Sequence, residues 1–265
     1  MIDLKEVKDL AASTIGVAAS AVADGLKYVT AERVTGDVLV KDVKAVINRG
    51  SKTEVERATP LSLGDMEQIF ELPLVDHDPW RDARDRCILA FGFFGLLRAS
   101  DVANLRSRGG RVTTVEGEEV VELHIFTAKN DQEGVGAKIY LSPVSFTFCP
   151  VKCAKKYGQL RQAEAQPFFY QQKTTGSEVS YEKLTPDRVN NIVKEWASRA
   201  GLGEGYTSHS MRRGGATTAA STGVSREDIK HLGRWKSNAV DAYIEVAPKV
   251  SMEATRRMTA GVSKK

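Results

Sequence analysis

The sequence predicts an α+β protein, mainly helical with one small antiparallel β-sheet, and three observations carry that expectation. Apolar-periodic segments opened by capping residues recur along the 265 residues. Two short runs rich in β-branched and aromatic residues flank a stretch of turn formers, the pattern of paired strands. No repeat or low-complexity tract interrupts the series. With 42% hydrophobic and 27% charged residues, the chain can bury a substantial core, enough for one large domain and a smaller piece.

Taken in order, Leu4, Val7, Leu10 and Ile15 mark an amphipathic helix, and residues 38–47 mark a second. Charges from Asp3 onward argue against a secretory signal or a membrane span at this end. Residues 49–59 mix Gly, Ser, Lys and Arg before Pro60 and read as a linker, dividing the chain into 1–58 and 59–265. An apolar helix then ends in Gly95-Leu-Leu-Arg98, with Asp101 and Leu105 in the next turns. Residues 120–127 and 137–141 are the two strands, and Lys129 opens the turn-rich stretch between them, rich in Gly, Asn and Asp. Residues 150–164 form a helix, 167–171 a short extended piece, and Thr185-Pro186-Asp187 supplies the cap, first-turn proline and acid of a helix reaching Ala200.

The last third is the most informative. Ser208 can cap a helix that carries His209 and Arg212 and stops at Gly223. Ser225-Arg-Glu-Asp228 opens a second helix that ends near Gly233. Trp235 falls on the following turn, residues 238–246 form a third short helix carrying Tyr243, and residues 252–258 a last one.

His209 and Arg212 are three apart, so on a helix they share a face and reach one pair of oxygens. A phosphodiester under attack needs donors for its non-bridging oxygens and a nucleophile aimed at phosphorus, and this cationic cluster stands a short distance before one tyrosine, Tyr243, a combination that points to DNA. The 38 basic residues against 34 acidic give a net charge of only +4, so a nucleic-acid surface must come from clustering. Lys41, Lys44, Arg49, Lys52 and Arg57 form one cluster, and Arg212, Arg213, Arg234 and Lys236 another. Cys87, Cys149 and Cys153 are the three cysteines; Cys149 and Cys153 lack the second ligand pair of a zinc site, and so sparse a count fits a reducing compartment rather than a disulfide framework.

The ordered set Arg98, Lys129, His209-x-x-Arg212, Gly233-Arg-Trp235 and Tyr243 resembles the tyrosine recombinase, or phage integrase, family over residues 60–250. The resemblance implies that family's catalytic-domain fold, preceded in residues 1–58 by a shortened core-binding segment. It implies a site-specific recombinase that cleaves and rejoins DNA through a 3′-phosphotyrosine, with no metal and no other cofactor. Tyr243 is then the nucleophile, Arg98, Arg212, His209 and Trp235 hold the phosphate, and Asp101 orients Arg98 or His209. Lys129 is the general acid, with Lys138 the other candidate. Lys44, Arg49, Lys52, Arg213, Arg234 and Lys236 are expected on DNA. The implied partners are double-stranded DNA and three further copies of the chain, in cytoplasm or nucleus. In familiar members the tyrosine follows the Gly-His/Trp position by one residue more than the eight separating Trp235 from Tyr243. A type IB topoisomerase uses closely similar residues, and a non-catalytic DNA-binding relative of a mobile element is the other alternative.

Overall fold

A computed structural model of the chain describes residues 57–74, 78–126 and 136–242. The chain divides into two compact units, Met1–Arg57 and Ala58–Lys265. All but the last residue of the first unit, Arg57, lies outside the described residues, with the two amphipathic helices and the cations Lys41, Lys44, Arg49 and Lys52 read there.

The second unit begins with α1 (Leu63–Glu71), capped by Ser62, whose hydroxyl accepts from the Asp65 N–H while the Asp65 carboxylate accepts from the Ser62 N–H. The central helix is α2 (Pro79–Phe94), set by the Asp78 cap and a first-turn proline. It buries nearly every residue from Asp82 to Phe93, which no amphipathic surface helix does. Its charged members are paired accordingly: Arg84 with Asp85 at 2.7 Å, and Arg86 with Asp82 at 2.9 Å. Burial raises the Asp85 carboxyl above its usual range despite the Arg84 guanidinium beside it.

After α2 the chain forms α3 (Ala99–Asn104) and then a three-stranded antiparallel sheet in the order β1 (Gly110–Val115), β2 (Glu118–Ile125), β3 (Ala137–Leu141). Leu123 of β2 stands opposite Gly110 and Ile139, and Val121, Leu123 and Ile125 turn into the core. A helix α4 (Pro150–Leu160) packs on α2; it starts at the Cys149 cap and stops four residues short of the expected 164. A hairpin of β4 (Tyr170–Thr175) and β5 (Glu178–Lys183) follows. Then come α5 (Pro186–Arg199), α6 (Ser208–Ser221) and α7 (Arg226–Leu232), and a 3₁₀ turn at Asn238–Ala242.

The α+β expectation holds, with corrections of detail. Strand β1 and the whole β4–β5 hairpin were not anticipated; the extended piece at 167–171 is only the approach to the latter. Thr207, not Ser208, caps α6, accepting from the His209 N–H, and Ser208 is its first helical residue. The short helix expected at 238–246 is, as far as it is described, the 3₁₀ turn.

The core lies between α2, α4, α5, α6 and the inner face of the three-stranded sheet. Phe91, Phe93, Phe148, Tyr157, Phe169, Trp196 and Met211 are almost wholly buried there. Among the described residues no helix is long and apolar enough to cross a membrane.

Candidate active site

Helix α2 ends at Phe94, and Leu96 then adopts a left-handed conformation with φ 48°. That reversal lets Arg98 become the N-cap of α3, its backbone N–H donating to Asp101 Oδ2 at 3.0 Å. The carbonyls of Gly95 and Leu96 are left outside any helix and need donors. Arginines supply them. Arg212 Nη1 donates to the Leu96 carbonyl, and Arg234 donates to Gly95 and Leu96 at 3.3 and 3.4 Å.

Arg212 reaches this place because α6 lies unusually close to its neighbours. A Cβ built on Gly214 would stand 1.9 Å from the Leu61 carbonyl oxygen, and one on Gly215 would stand 2.1 Å from that of Phe93. Only glycine fits at either position. The Arg212 side chain is buried and held on a second side by the Gly233 carbonyl at 2.7 Å, while the Trp235 ring lies beneath its guanidinium at 3.7 Å. Each carbonyl takes one of the five N–H groups of the fork.

His209 sits one turn before Arg212 and is exposed. Lost hydration on its packed side, and then the Arg212 and Arg98 guanidiniums, hold its imidazole below the ordinary 6.5. Both guanidiniums thus bear electrostatically on the His209 imidazole. Arg98 is half-buried, and its Nη1 is buried with no hydrogen-bond partner among the described residues.

Several expectations are corrected by these contacts. The Asp101 carboxylate takes the Arg98 backbone N–H, but its guanidinium partner is Arg234 at 2.9 Å rather than Arg98 or His209. The expected surface cluster of Arg212, Arg213, Arg234 and Lys236 does not form. Arg213 is 6% exposed and the Arg234 side chain 9%, because both turn inward from their elements, and only Lys236 is exposed. Trp235, at 7% exposure, packs in a small core with Leu96, Ala216, Ile229 and Val240. Lys138 pairs with Glu122 at 3.5 Å, a carboxylate that Arg111 and then Lys138 hold below its usual range. Lys129, Tyr243, Lys44, Arg49 and Lys52 lie outside the described residues.

Sequence reasoning missed a groove of about 1000 Å³ at the far end of α3. Arg106, Arg108 and Lys183 line it together with Phe126, the last described residue before the segment that carries Lys129. Its cations are scattered along the sequence, and no local pattern joins them.

Among solved structures, the chain is similar to the Tn1549 transposon integrase in complex with a circular intermediate DNA. The two are 12% identical with a TM-score of 0.58, over 97% of this chain and 82% of that one. It is likewise similar to XerA recombinase, at 13% identity and a TM-score of 0.54 over 98% and 80% of the two chains. A lambda integrase dimer bound to a COC′ core site gives 15% and 0.54 over 88% and 59%. The fold is that of the tyrosine recombinase catalytic domain. In sequence the chain is related to the Integrase/recombinase xerD homolog of Selenomonas ruminantium, 29% identical over 227 residues, which are 84% of this chain and 64% of that protein. It therefore spans just under two thirds of that relative's length. No family model matches the chain. The resemblance drawn from the motifs is thus shared by sequence and by fold.

Proposed function

We propose that the chain is a site-specific DNA recombinase or integrase that breaks and rejoins DNA through a 3′-phosphotyrosine. One observation carries the reading: a buried Arg98 N–H at the start of α3 has no hydrogen-bond partner among the described residues, and the Arg98 and Arg212 guanidiniums both bear on the His209 imidazole of α6. An arginine donor kept dry and unspent, beside a second guanidinium and an uncharged imidazole, suits an anionic oxygen pair.

In this reading the Tyr243 phenol loses its proton as its oxygen bonds the scissile phosphorus. The bond from phosphorus to the 5′-oxygen breaks, and Lys129 protonates that leaving oxygen. Arg98 and Arg212 face the non-bridging oxygens, His209 adds a neutral donor, and Trp235 serves by supporting Arg212. Removing one such preorganised donor costs on the order of 10²–10³ in rate. The phosphodiester energy stays in the protein–DNA bond, so a different 5′-hydroxyl can reverse the step without ATP. Exchange between two duplexes then needs four protomers on two sites. The assignment calls for no cofactor. The DNA named with the solved integrases supports DNA as the partner, as do the groove at Arg106, Arg108 and Lys183 and the cations at Lys44, Arg49, Lys52 and Lys236.

The test is a nicked suicide substrate carrying the element's own junction sequence. The unaltered chain should form a covalent adduct that Tyr243→Phe does not. A chain that binds this DNA yet never forms an adduct overturns the proposal. Relaxation of supercoiled plasmid by the monomer would favour a topoisomerase instead.

A further inference from the structure

Arg234 stands one residue before Trp235 and nine before Tyr243, the spacing that the resemblance expects between its Gly-His/Trp position and the tyrosine. Its contacts differ in kind from those of a DNA-facing side chain. Helix α7 ends at its Gly233 cap, and Arg234 then turns left-handed, with φ 57°. A side chain with a Cβ seldom adopts that conformation unless its surroundings enforce it. Here the guanidinium is enclosed, bonded to Asp101 at 2.9 Å, to the Leu232 carbonyl at 2.9 Å, and more loosely to the carbonyls of Gly95 and Leu96. The turn sends the next side chain the other way, so that Trp235 lies under Arg212. Three consecutive residues thus grip both halves of the site: Gly233 and Trp235 hold Arg212, and Arg234 holds the acid at the start of the Arg98 helix.

Asp101 is the hinge of this arrangement. It is the third residue of α3, whose N-cap is Arg98, so its carboxylate reaches the Arg98 backbone N–H. In the structure it does not pair with the Arg98 guanidinium. Its Oδ2 accepts the Arg98 backbone N–H and the Arg234 side chain, and among the described residues Asp101 Oδ1, Arg98 Nη1 and Arg234 Nε are all buried without hydrogen-bond partners. Three buried polar atoms of one cluster without hydrogen-bond partners call for an explanation. Burial and the neighbouring Arg98 charge disfavour the Arg234 cation, and Asp101 opposes them.

From this geometry we infer that Arg234 is a positioning residue: by occupying Asp101 it keeps the acid from capturing Arg98, and so leaves the Arg98 guanidinium available to the scissile phosphate. The inference rests on the strand-transfer reading above. A lysine would do this poorly, because a point charge cannot hold Asp101 and the carbonyls of the α2–α3 turn at once.

Single-turnover cleavage of the suicide substrate tests it, with DNA affinity measured beside the rate. Arg234→Ala should slow adduct formation by about 10²-fold, the loss of one preorganised donor, with affinity changed by less than about threefold. Adding Asp101→Ala to that variant removes the captor and should recover about 10-fold or more of the rate, which a merely structural salt bridge would not allow. If Arg234→Ala does not fold, as judged by circular dichroism, Arg234→Lys with and without Asp101→Ala takes its place. A double variant no faster than the single one overturns the inference, as does a loss of affinity equal to the loss of rate. Adduct from the unaltered chain without rescue sinks this inference alone. No adduct from the unaltered chain sinks the strand-transfer reading and this inference together.

Discussion

Replacing Gly214 by alanine tests how the site is held at its height. A methyl there would stand 1.9 Å from the Leu61 carbonyl oxygen, 2.7 Å from its carbonyl carbon and 2.8 Å from its nitrogen. All three atoms are backbone, so no rotamer change relieves the clash. The Leu61 segment is moreover tied to the start of α6, its N–H donating to the Ser210 carbonyl at 3.0 Å. Inserting a methylene into a packed interior costs about 1–3 kcal/mol, and a clash with immovable backbone belongs at or above the upper end. Against that, alanine gains about 1 kcal/mol over glycine inside a helix. The net expectation is a loss of about 2 kcal/mol or more. In a unit of this size each kcal/mol moves the melting temperature by about 2–4 °C, so Tm should fall by about 4–8 °C. Gly158 supplies the control, since it lies inside α4 with nothing within 4 Å of its added Cβ. There the same substitution should stabilise by about 0.5–1 kcal/mol. Urea and thermal denaturation of both variants decide the matter. If Gly214→Ala is as stable as Gly158→Ala, α6 does not approach Leu61 as described, and the placing of Arg212 that depends on it is wrong.

Trp235→Ala removes a buried indole and the ring beneath Arg212, so it should destabilise by about 3–5 kcal/mol in denaturant titration, whereas Trp235→Phe should retain much of that. His209 should give a signed pH dependence. Its folded pKa lies below the unfolded 6.5, so the unfolded chain takes up the proton first. Stability should therefore be unaffected above that value and decline as pH falls from 6.5 toward the folded pKa. Against His209→Gln, the unaltered chain should lose relative stability as pH falls through that window, read from denaturation midpoints; a difference independent of pH would refute the lowered pKa that burial, Arg212 and Arg98 give His209. At the groove, Arg106→Ala and Lys183→Ala should each weaken DNA binding whatever the sequence and lower the slope of log K against log salt by about 1. An unchanged slope removes the groove from the DNA path.

The helices were legible because their signals are local. Thr185-Pro186 and Ser225 with Asp228 each announce a helix within four residues, and each helix begins there. The missed hairpins lack that kind of signal. β4 and β5 carry Gln, Lys, Thr, Glu and Ser on both faces, with the Tyr170–Tyr181 ring contact at 5.1 Å as their apolar anchor, so no period-2 alternation betrays them. β1 joins β2 through Glu116-Gly117, both with positive φ, a geometry that Asn-Gly advertises and Glu-Gly does not.

For the expected site residues that the structure describes, the partnerships were not legible in the sequence, and the difference shows at one position. In a linear reading Trp235 takes the aromatic place after the glycine, because Gly-x-Trp looks like Gly-Trp with one residue inserted. A left-handed residue changes which neighbour faces the site, and nothing in the string Gly-Arg-Trp states that Arg234 is that residue. Once it is, the arginine points to Asp101, 133 positions earlier, and the tryptophan goes under Arg212. The apparent one-residue shortening before Tyr243 then disappears, since the count starts from Arg234. An arginine cannot replace a neutral donor at a phosphate without adding charge to a site that already holds two guanidiniums. Its carboxylate partner is what makes that charge tolerable, so Asp101 and Arg234 have to be altered together to learn what either does.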